Sequence, residues 1–227
     1  MENSGIREGL IFENGAFHKE QRTLPREQLW SITVNGQELD SFVCSPVRME
    51  EAAAGWLFTR GLIFSPEDIK TLEIRENSGE IYARVQKSPA PETVPRESIK
   101  ISPAEISELL SRLESCRERG LHSCALVSKE HFILRQDVSR SAAADKAAGA
   151  CLLQNLPTGN SVLVFSGRVS ASIAEKCEAL GCRILLACSG PTDLACEKAE
   201  EAGITLVCPA GKGRLCVYSC PERVQTP

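Results

Sequence analysis

The most restrictive feature of this sequence is an alternation that runs from residue 161 to residue 219. Apolar, β-favouring runs at 161–166 (SVLVFS), 182–189 (CRILLACS) and 204–208 (ITLVC) are separated by helical segments at 170–180 and 192–202. The connections are only a few residues long. Strands joined through single helices run parallel, since each crossover returns the chain to the same edge of the sheet. The pattern therefore predicts an α/β layer with parallel strands, closed by a last strand at 215–219. Upstream, HSCALVS and HFILRQ read as a strand pair around Lys129-Glu130, followed by a helix over about 140–154. A helix over 103–118 opens with Ser102, Pro103 and Glu105, a capping box with proline in the first turn. Its apolar residues Ile106, Leu109, Leu110, Leu113 and Cys116 recur at helical spacing, which predicts that Cys116 is buried.

The first hundred residues read differently. LWSITVNGQELDSFVCS (29–45) is a hairpin turning at Asn35-Gly36, the strongest short hairpin signal. RMEEAAAGWLFTRG (48–61) is helical and stops at Gly61. SPED (65–68) starts a short helix, and TLEIRENSGEIYARVQ (71–86) is a second hairpin. KSPAPETVPRESIK (87–100), with three prolines, reads as a linker or surface loop. The expected organisation is a small β-rich unit over 1–100 with one or two helices, then an α/β domain over 101–227.

Charge excludes some functions. A net charge of -4 offers no basic surface for nucleic acid. The longest apolar runs fall far short of the roughly 20 residues of a membrane helix. The N-terminal residues have no signal-peptide pattern, so a cytoplasmic protein is expected. The 11 cysteines include no C-x-x-C pair, which argues against a zinc or iron–sulfur site and against a metal-binding protein. Several fall within apolar strand or helix patterns, where free cysteine packs as a small hydrophobe.

Two strand–helix junctions share one form. SGRVS follows the strand 161–166 and SGPTD follows the strand 182–189. Both place Ser-Gly on the edge where open α/β sheets bind ligands. Glycine admits close backbone approach, helix N-termini favour anions, and Arg168 adds a guanidinium suited to phosphate. Ser166, Gly167, Arg168, Ser189, Gly190 and Thr192 are thus candidates for binding an anionic cofactor. The alternative is two ordinary turns with Ser170 and Thr192 as plain caps. Between the last strands, Cys208, Pro209, Ala210, Gly211, Lys212 and Gly213 form a Gly-rich basic loop. It can wrap a phosphate or be a glycine-permitted turn, and it is not a Walker loop. RQDVSRSAAADKAAGA (135–150) combines small residues suited to close packing with Asp137, Arg140, Asp145 and Lys146. Asp145 and Lys146 can form a solvated face. His122 lacks the H-x-E context of a zinc deaminase.

Taken in order, these segments resemble the formate dehydrogenase accessory sulfurtransferase family (FdhD). ITVNG (32–36), AAGWLFTRGLI (53–63), GLHSCAL (120–126), QDVSRSAAADKAAG (136–149), FSGRVS (165–170), SGPTDLA (189–195), AGITL (202–206) and VYSCPERV (217–224) carry the resemblance over nearly the whole chain. It implies a mixed α/β sheet with flanking helices like that of the cytidine deaminases, and a homodimer. It also implies a role in molybdenum cofactor maturation. Sulfur would pass as a cysteine persulfide from a cysteine desulfurase to the cofactor serving formate dehydrogenase or another molybdoenzyme. The implied ligand is the bis(molybdopterin guanine dinucleotide) form of the cofactor, or a guanine nucleotide. His122, Asp137, Arg140, Asp145 and Lys146 are then what remains of the family's motif residues.

The sequence departs from the family at its chemistry. The family's C-G-x-C-G loop corresponds to 85–106, which holds no cysteine. Its E-D-V-G-R-H-N motif reads Gln136, Asp137, Val138, Ser139, Arg140, Ser141, Ala142. No residue is therefore assigned as catalytic, although Cys124, Cys208 and Cys216 are candidates by neighbourhood. Two readings stay open: a sulfurtransferase working through another cysteine, or a non-catalytic relative that binds cofactor or partner.

Overall fold

The computed structural model describes residues 4–89 and 99–225. The part of the expected linker from 90 to 98 lies outside the described residues. Twelve strands and five α-helices, with two 3-10 turns, make up the described residues.

A six-stranded mixed sheet carries the C-terminal half. Its strands are β7 (His122–Val127), β8 (Phe132–Asp137), β9 (Val162–Val169), β10 (Ile184–Pro191), β11 (Thr205–Pro209) and β12 (Leu215–Ser219), in the order β12-β11-β10-β9-β7-β8. β9, β10 and β11 are parallel, as single-helix connections require. β12 and β7 flank them antiparallel, and β8 pairs antiparallel with β7. Helices α3 (Arg140–Leu153), α4 (Ala171–Ala179) and α5 (Asp193–Glu201) pack on one face over Leu163, Phe165, Leu185, Leu206 and Cys208. Helix α2 (Pro103–Ser115) covers the other face, over Val162, Val164, Ile184, Leu186 and Val207. Successive side chains of these strands enter opposite cores, which is why the runs are continuously apolar.

A four-stranded sheet, in the order β4-β3-β6-β5, carries the N-terminal half: β3 (Gln28–Val34), β4 (Gln37–Cys44), β5 (Ile69–Arg75) and β6 (Glu80–Val85). The Asn35-Gly36 turn joins β3 to β4 with both residues at positive φ, as that turn requires. Helix α1 (Met49–Thr59) lies on this sheet with Trp30, Ile32, Ile81 and Trp56 in the core. Ala142 and Leu152 of α3 complete that same core, so α3 is shared by both sheets.

Helices α1 and α3 touch along their backbones. Ala52, Ala53 and Ala54 of α1 and Ala142, Ala143, Ala147 and Ala148 of α3 are all buried, and the close approach runs through Gly55 and Gly149. A Cβ added to Gly55 would collide with the Asp145 carbonyl, and one added to Gly149 would collide with the Glu51 carbonyl. The small residues of 142–150 thus serve a helix–helix contact as well as the approach of helix to sheet.

Three features differ from expectation. A hairpin of β1 (Ser4–Glu13) and β2 (Ala16–Pro25) precedes the N-terminal sheet and forms a sheet of its own. Its Asn14-Gly15 turn, both residues at positive φ, carried the same signal as Asn35-Gly36. Helix α2 ends at Ser115, so Cys116 is its C-cap and is exposed rather than buried. Helical periodicity carries no information past the last helical residue. Finally, β9 and β10 extend through their Ser-Gly pairs to Val169 and Pro191.

Candidate functional site

The topology gathers the candidate segments on one sheet edge. The parallel strands β9, β10 and β11 deliver Ser166–Arg168, Ser189-Gly190 and Cys208-Pro209 to their carboxyl ends. β7 runs opposite to β9, so its first residue, His122, lies at that same edge. His122 is in register with Asp137, the last residue of β8. Arg140 begins α3 directly after.

The geometry around Gly167 explains its residue type. It lies within β9, not in a helix N-terminal turn, and its φ is not left-handed. A Cβ there would meet the Phe165 ring at 3.0 Å and Arg140 Nε at 3.3 Å. Gly167 therefore makes room for the Arg140 side chain. Open space surrounds the position of a Cβ on Gly190. Beside them, the Ser123 backbone N–H donates to Ser166 Oγ at 2.8 Å. Gln136 Nε2 donates to Ser123 Oγ at 2.9 Å and to the Cys116 carbonyl at 3.0 Å. The loop bearing Cys116 is thereby tied to the edge.

The expected Ser-Gly turns at helix N-termini are corrected. Both pairs are strand residues, with register shifts around Ser189 where β9 and β10 pair. The N-cap positions fall later, at Ser170 and Thr192. Thr192 Oγ1 accepts from the Ala195 N–H at 3.2 Å, whereas Ser170 makes no side-chain cap. Arg168 is exposed. The loop from Ala210 to Arg214 is the turn of the β11–β12 hairpin, with Gly211, Lys212 and Gly213 all at positive φ. Arg214 Nη2 donates to the Ala210 carbonyl at 3.1 Å. Lys212 is exposed.

His122 carries the unsatisfied polar atom of the edge. Its Nδ1 is buried and, among the described residues, has no hydrogen-bond partner. Burial holds its pKa below the usual 6.5, and the positive charges of Arg140 and Arg117 lower it further.

Asp137, Asp145 and Lys146 are not on the open edge. Asp137 and Lys146 are fully buried and form a 2.5 Å ion pair. The Asp137 carboxylate also accepts from the Ser45 N–H at 3.2 Å and the Ser139 N–H at 2.7 Å. Lys146 Nζ donates to the Ser45 carbonyl at 2.8 Å. Asp145 pairs with buried Lys176 and accepts from Thr59 Oγ1 at 2.9 Å. Desolvation lowers the Lys176 pKa against the pull of Asp145. The expectation that Asp145 and Lys146 form a solvated face is therefore overturned. Both lie where α3 is enclosed by α1 and the two sheets, and each finds a charge partner there. The two pairs join α3 to β8 and to α4, and the hydrogen bonds of Lys146 to Ser45 and of Asp145 to Thr59 tie it to the 45–59 segment.

Burial also sorts the thiols. Cys124 and Cys208 face the interior, and desolvation pushes Cys208 up to about 12 and Cys124 higher still. Burial takes Cys44, Cys151 and Cys188 to about 12 as well. Cys216 is half-buried on β12. Cys116 is the exposed one. No three His, Cys, Asp or Glu side chains among the described residues converge as a metal site. No helix among them is long and apolar enough to cross a membrane.

An open cleft of about 910 Å³ lies next to this region, between the two halves of the chain. Arg26, Arg48, Glu118, Leu121, Arg135 and Gln136 are among its lining residues. Arg135 is held there by a bidentate pair with Glu51, at 2.5 and 2.8 Å. None of the residues expected to bind cofactor lines it. The separate sequence segments gave no signal for this cleft, because it arises only where they meet.

These features define a mixed α/β protein with a ligand-type edge at the ends of its parallel strands and two buried ion pairs beneath. The chain belongs to the FdhD/NarQ family, whose model matches residues 25–98 and 80–225. It is similar to the sulfur carrier protein FdhD of Listeria innocua, at 31% identity over 94% of this chain and 95% of that protein. Similar values hold for the sulfur carrier protein FdhD of Staphylococcus haemolyticus, 29% identical over 95% of each chain. The same protein of Bacillus subtilis is 27% identical over 98% of each. In structure, the chain matches a candidate formate dehydrogenase accessory protein from Desulfotalea psychrophila with a TM-score of 0.81. That match covers 98% of this chain and 100% of the other at 24% identity, and it shows the common fold.

Proposed function

We infer that this protein is an accessory factor in formate dehydrogenase maturation and that it acts through sulfur transfer. The observation that carries this reading is the edge itself. The family-like segments around His122, Arg140, Gly167, Ser189-Gly190 and Lys212 converge there, although they lie far apart in the chain. We assign to it a cytoplasmic setting, a cytidine-deaminase-like C-terminal domain over 101–227, and a β-rich unit over 1–100. The proposed partners are a cysteine desulfurase as sulfur donor, a molybdoenzyme as client, and a second copy of the chain.

The proposed substrate is the guanine dinucleotide form of the molybdenum cofactor. Exposed Arg140, Arg168 and Lys212 supply positive charge, and Gly190 leaves the backbone open to a close ligand. The unpartnered Nδ1 of His122 is a further polar group for it. These residues fit an anionic nucleotide.

A sulfur carrier needs an accessible thiol that ionises. Desolvation disfavours Cys124 and Cys208, whereas Cys116 is exposed and its carbonyl is tied to the edge through Gln136. In the proposed step, the Cys116 thiolate attacks the terminal sulfur of a desulfurase persulfide. The donor's S–S bond breaks, its cysteine leaves as thiolate, and Cys116 carries the sulfur.

The test is incubation with a cysteine desulfurase and cysteine, followed by mass spectrometry. One added sulfur atom on Cys116, absent from Cys116→Ala, supports the step. No adduct on any cysteine removes sulfur carriage and favours a cofactor-binding module. The cysteine-free interval 85–106 is the observation on that side. Calorimetry with a guanine nucleotide, repeated on Arg168→Ala, then tests the edge: no heat from the unmodified protein overturns the nucleotide reading.

A further inference from the structure

We propose that the N-terminal hairpin is a dimerisation arm whose apolar face packs against the same face of a second copy. β1 and β2 pair along ten residues each and form an isolated two-stranded sheet. They share none of the three hydrophobic cores. A two-stranded hairpin exposed on both faces is marginal in water and needs a surface to pack on. Only its base is seated: Pro25 lies beside Gly120, and a small cavity separates Ser4, Thr23 and Leu24 from Glu118, Arg119 and Leu121.

The alternation of the strands puts Ile6, Glu8, Leu10 and Phe12 on one face with Phe17, Lys19, Gln21 and Thr23. Ile6 is 71% exposed, Leu10 65%, Phe12 64% and Phe17 69%. The Phe12 and Phe17 rings meet at 5.0 Å and form an apolar tip. Together these side chains present roughly 500 Å² of apolar surface, the size of the largest patch on a soluble monomer, and such a patch often marks an interaction site. Two such faces bury about 1,000 Å², the lower limit for a specific interface.

Charge points to a second copy as the occupant. The chain as a whole is acidic, at -4, and so repels its copy. The arm is balanced, with Arg7, Lys19 and Arg22 against Glu8, Glu13 and Glu20. On its apolar face the only charges are Glu8 and Lys19, paired at 2.8 Å. With a two-fold axis along the arm, β1 of one copy lies over β2 of the other. Glu8 then comes within diagonal reach of Lys19 across the interface, and four phenylalanines gather at the tip. The inference gives the proposed homodimer its surface and stands whether or not sulfur transfer is retained.

Sedimentation velocity at micromolar concentration tests it. The unmodified protein sediments as a dimer, and Phe12→Ser/Phe17→Ser weakens self-association by at least about a hundredfold. Tyr218→Ser, an exposed aromatic elsewhere, leaves the dimer intact. Circular dichroism verifies that the double variant is folded. Hydrogen exchange on the unmodified protein gives an independent reading: amides of 4–25 become more protected as concentration rises. A monomeric unmodified protein, a double variant that still dimerises, or arm amides indifferent to concentration would each overturn the proposal. The first outcome assigns the arm to a different protein or a lipid surface.

Discussion

Lys146 and Asp137 form a 2.5 Å ion pair in which neither side chain touches solvent. The pair stands at the junction of β8, α3 and the segment after β4, since both partners also bond Ser45. Removing one partner strands a buried charge. Lys146→Met should lower unfolding free energy by about 3–5 kcal/mol, read from the denaturant midpoint. Asp137→Asn combined with Lys146→Met should recover part of that loss, because no uncompensated charge remains. If the losses of Asp137→Asn alone and Lys146→Met alone simply add in the double variant, the pair is not coupled.

Helix α3 approaches α1 so closely that Gly149 has no room for a methyl group. Gly149→Ala raises helix propensity, which alone stabilises by up to about 1 kcal/mol. The collision with the Glu51 carbonyl opposes it, and that atom is backbone and cannot rotate away. The net effect should be a destabilisation of about 3 kcal/mol, with Gly55→Ala alike. Ala148→Gly, one residue earlier, should cost only about 1 kcal/mol. Thermal unfolding of the three variants checks the order.

The alternation from 161 to 219 made the parallel sheet legible, because a continuous apolar run between two helices has few other folds to join. The Asn35-Gly36 hairpin was legible from its turn chemistry. The Asn14-Gly15 turn of the arm carries the same signal, but its flanking strands add nothing to a core of the chain, so no half-buried pattern marks them. At the site, the order of the segments placed Gly167 and Ser189 on one edge, whereas His122 joins them only through the antiparallel pairing of β7 with β9. It did not show that Asp145 and Lys146 are enclosed, since a charged pair on a helix reads as solvated until its neighbours are known. The burial expected of Cys116 fails for a local reason: the helix stops one residue short of it.

His122 gives the site a pH signature. Burial, then Arg140 and Arg117, hold its pKa below 6.5 in the folded state. The unfolded chain therefore binds the proton first as pH falls. Stability contributed by the neutral ring is present above pH 6.5 and declines below it until the folded pKa is reached. The His122 resonance should titrate below about 6.5 by NMR. Arg140→Ala should move the midpoint part of the way back, since burial, the larger cause, remains. Inorganic phosphate bound at the edge should raise it in the unmodified protein by screening Arg140. A midpoint unmoved by either change would separate His122 from the candidate site.

Thiol reactivity offers the most direct reading of the cysteines. Alkylation needs both an open path and a thiolate. Cys44, Cys151, Cys188 and Cys208 lack the second at neutral pH, since burial takes each to about 12. Cys124 and Cys177 are further raised and fully enclosed. Brief treatment of the native protein with iodoacetamide at mildly alkaline pH should therefore label Cys116 first. Cys44, Cys124, Cys151, Cys177 and Cys208 should react only after denaturation. Peptide mapping reads the order. If Cys116 is labelled first and Cys116→Ala still accepts sulfur from a desulfurase, accessibility alone does not select the carrier. The half-buried thiols Cys196, Cys216 and Cys220 are then the ones to replace in turn.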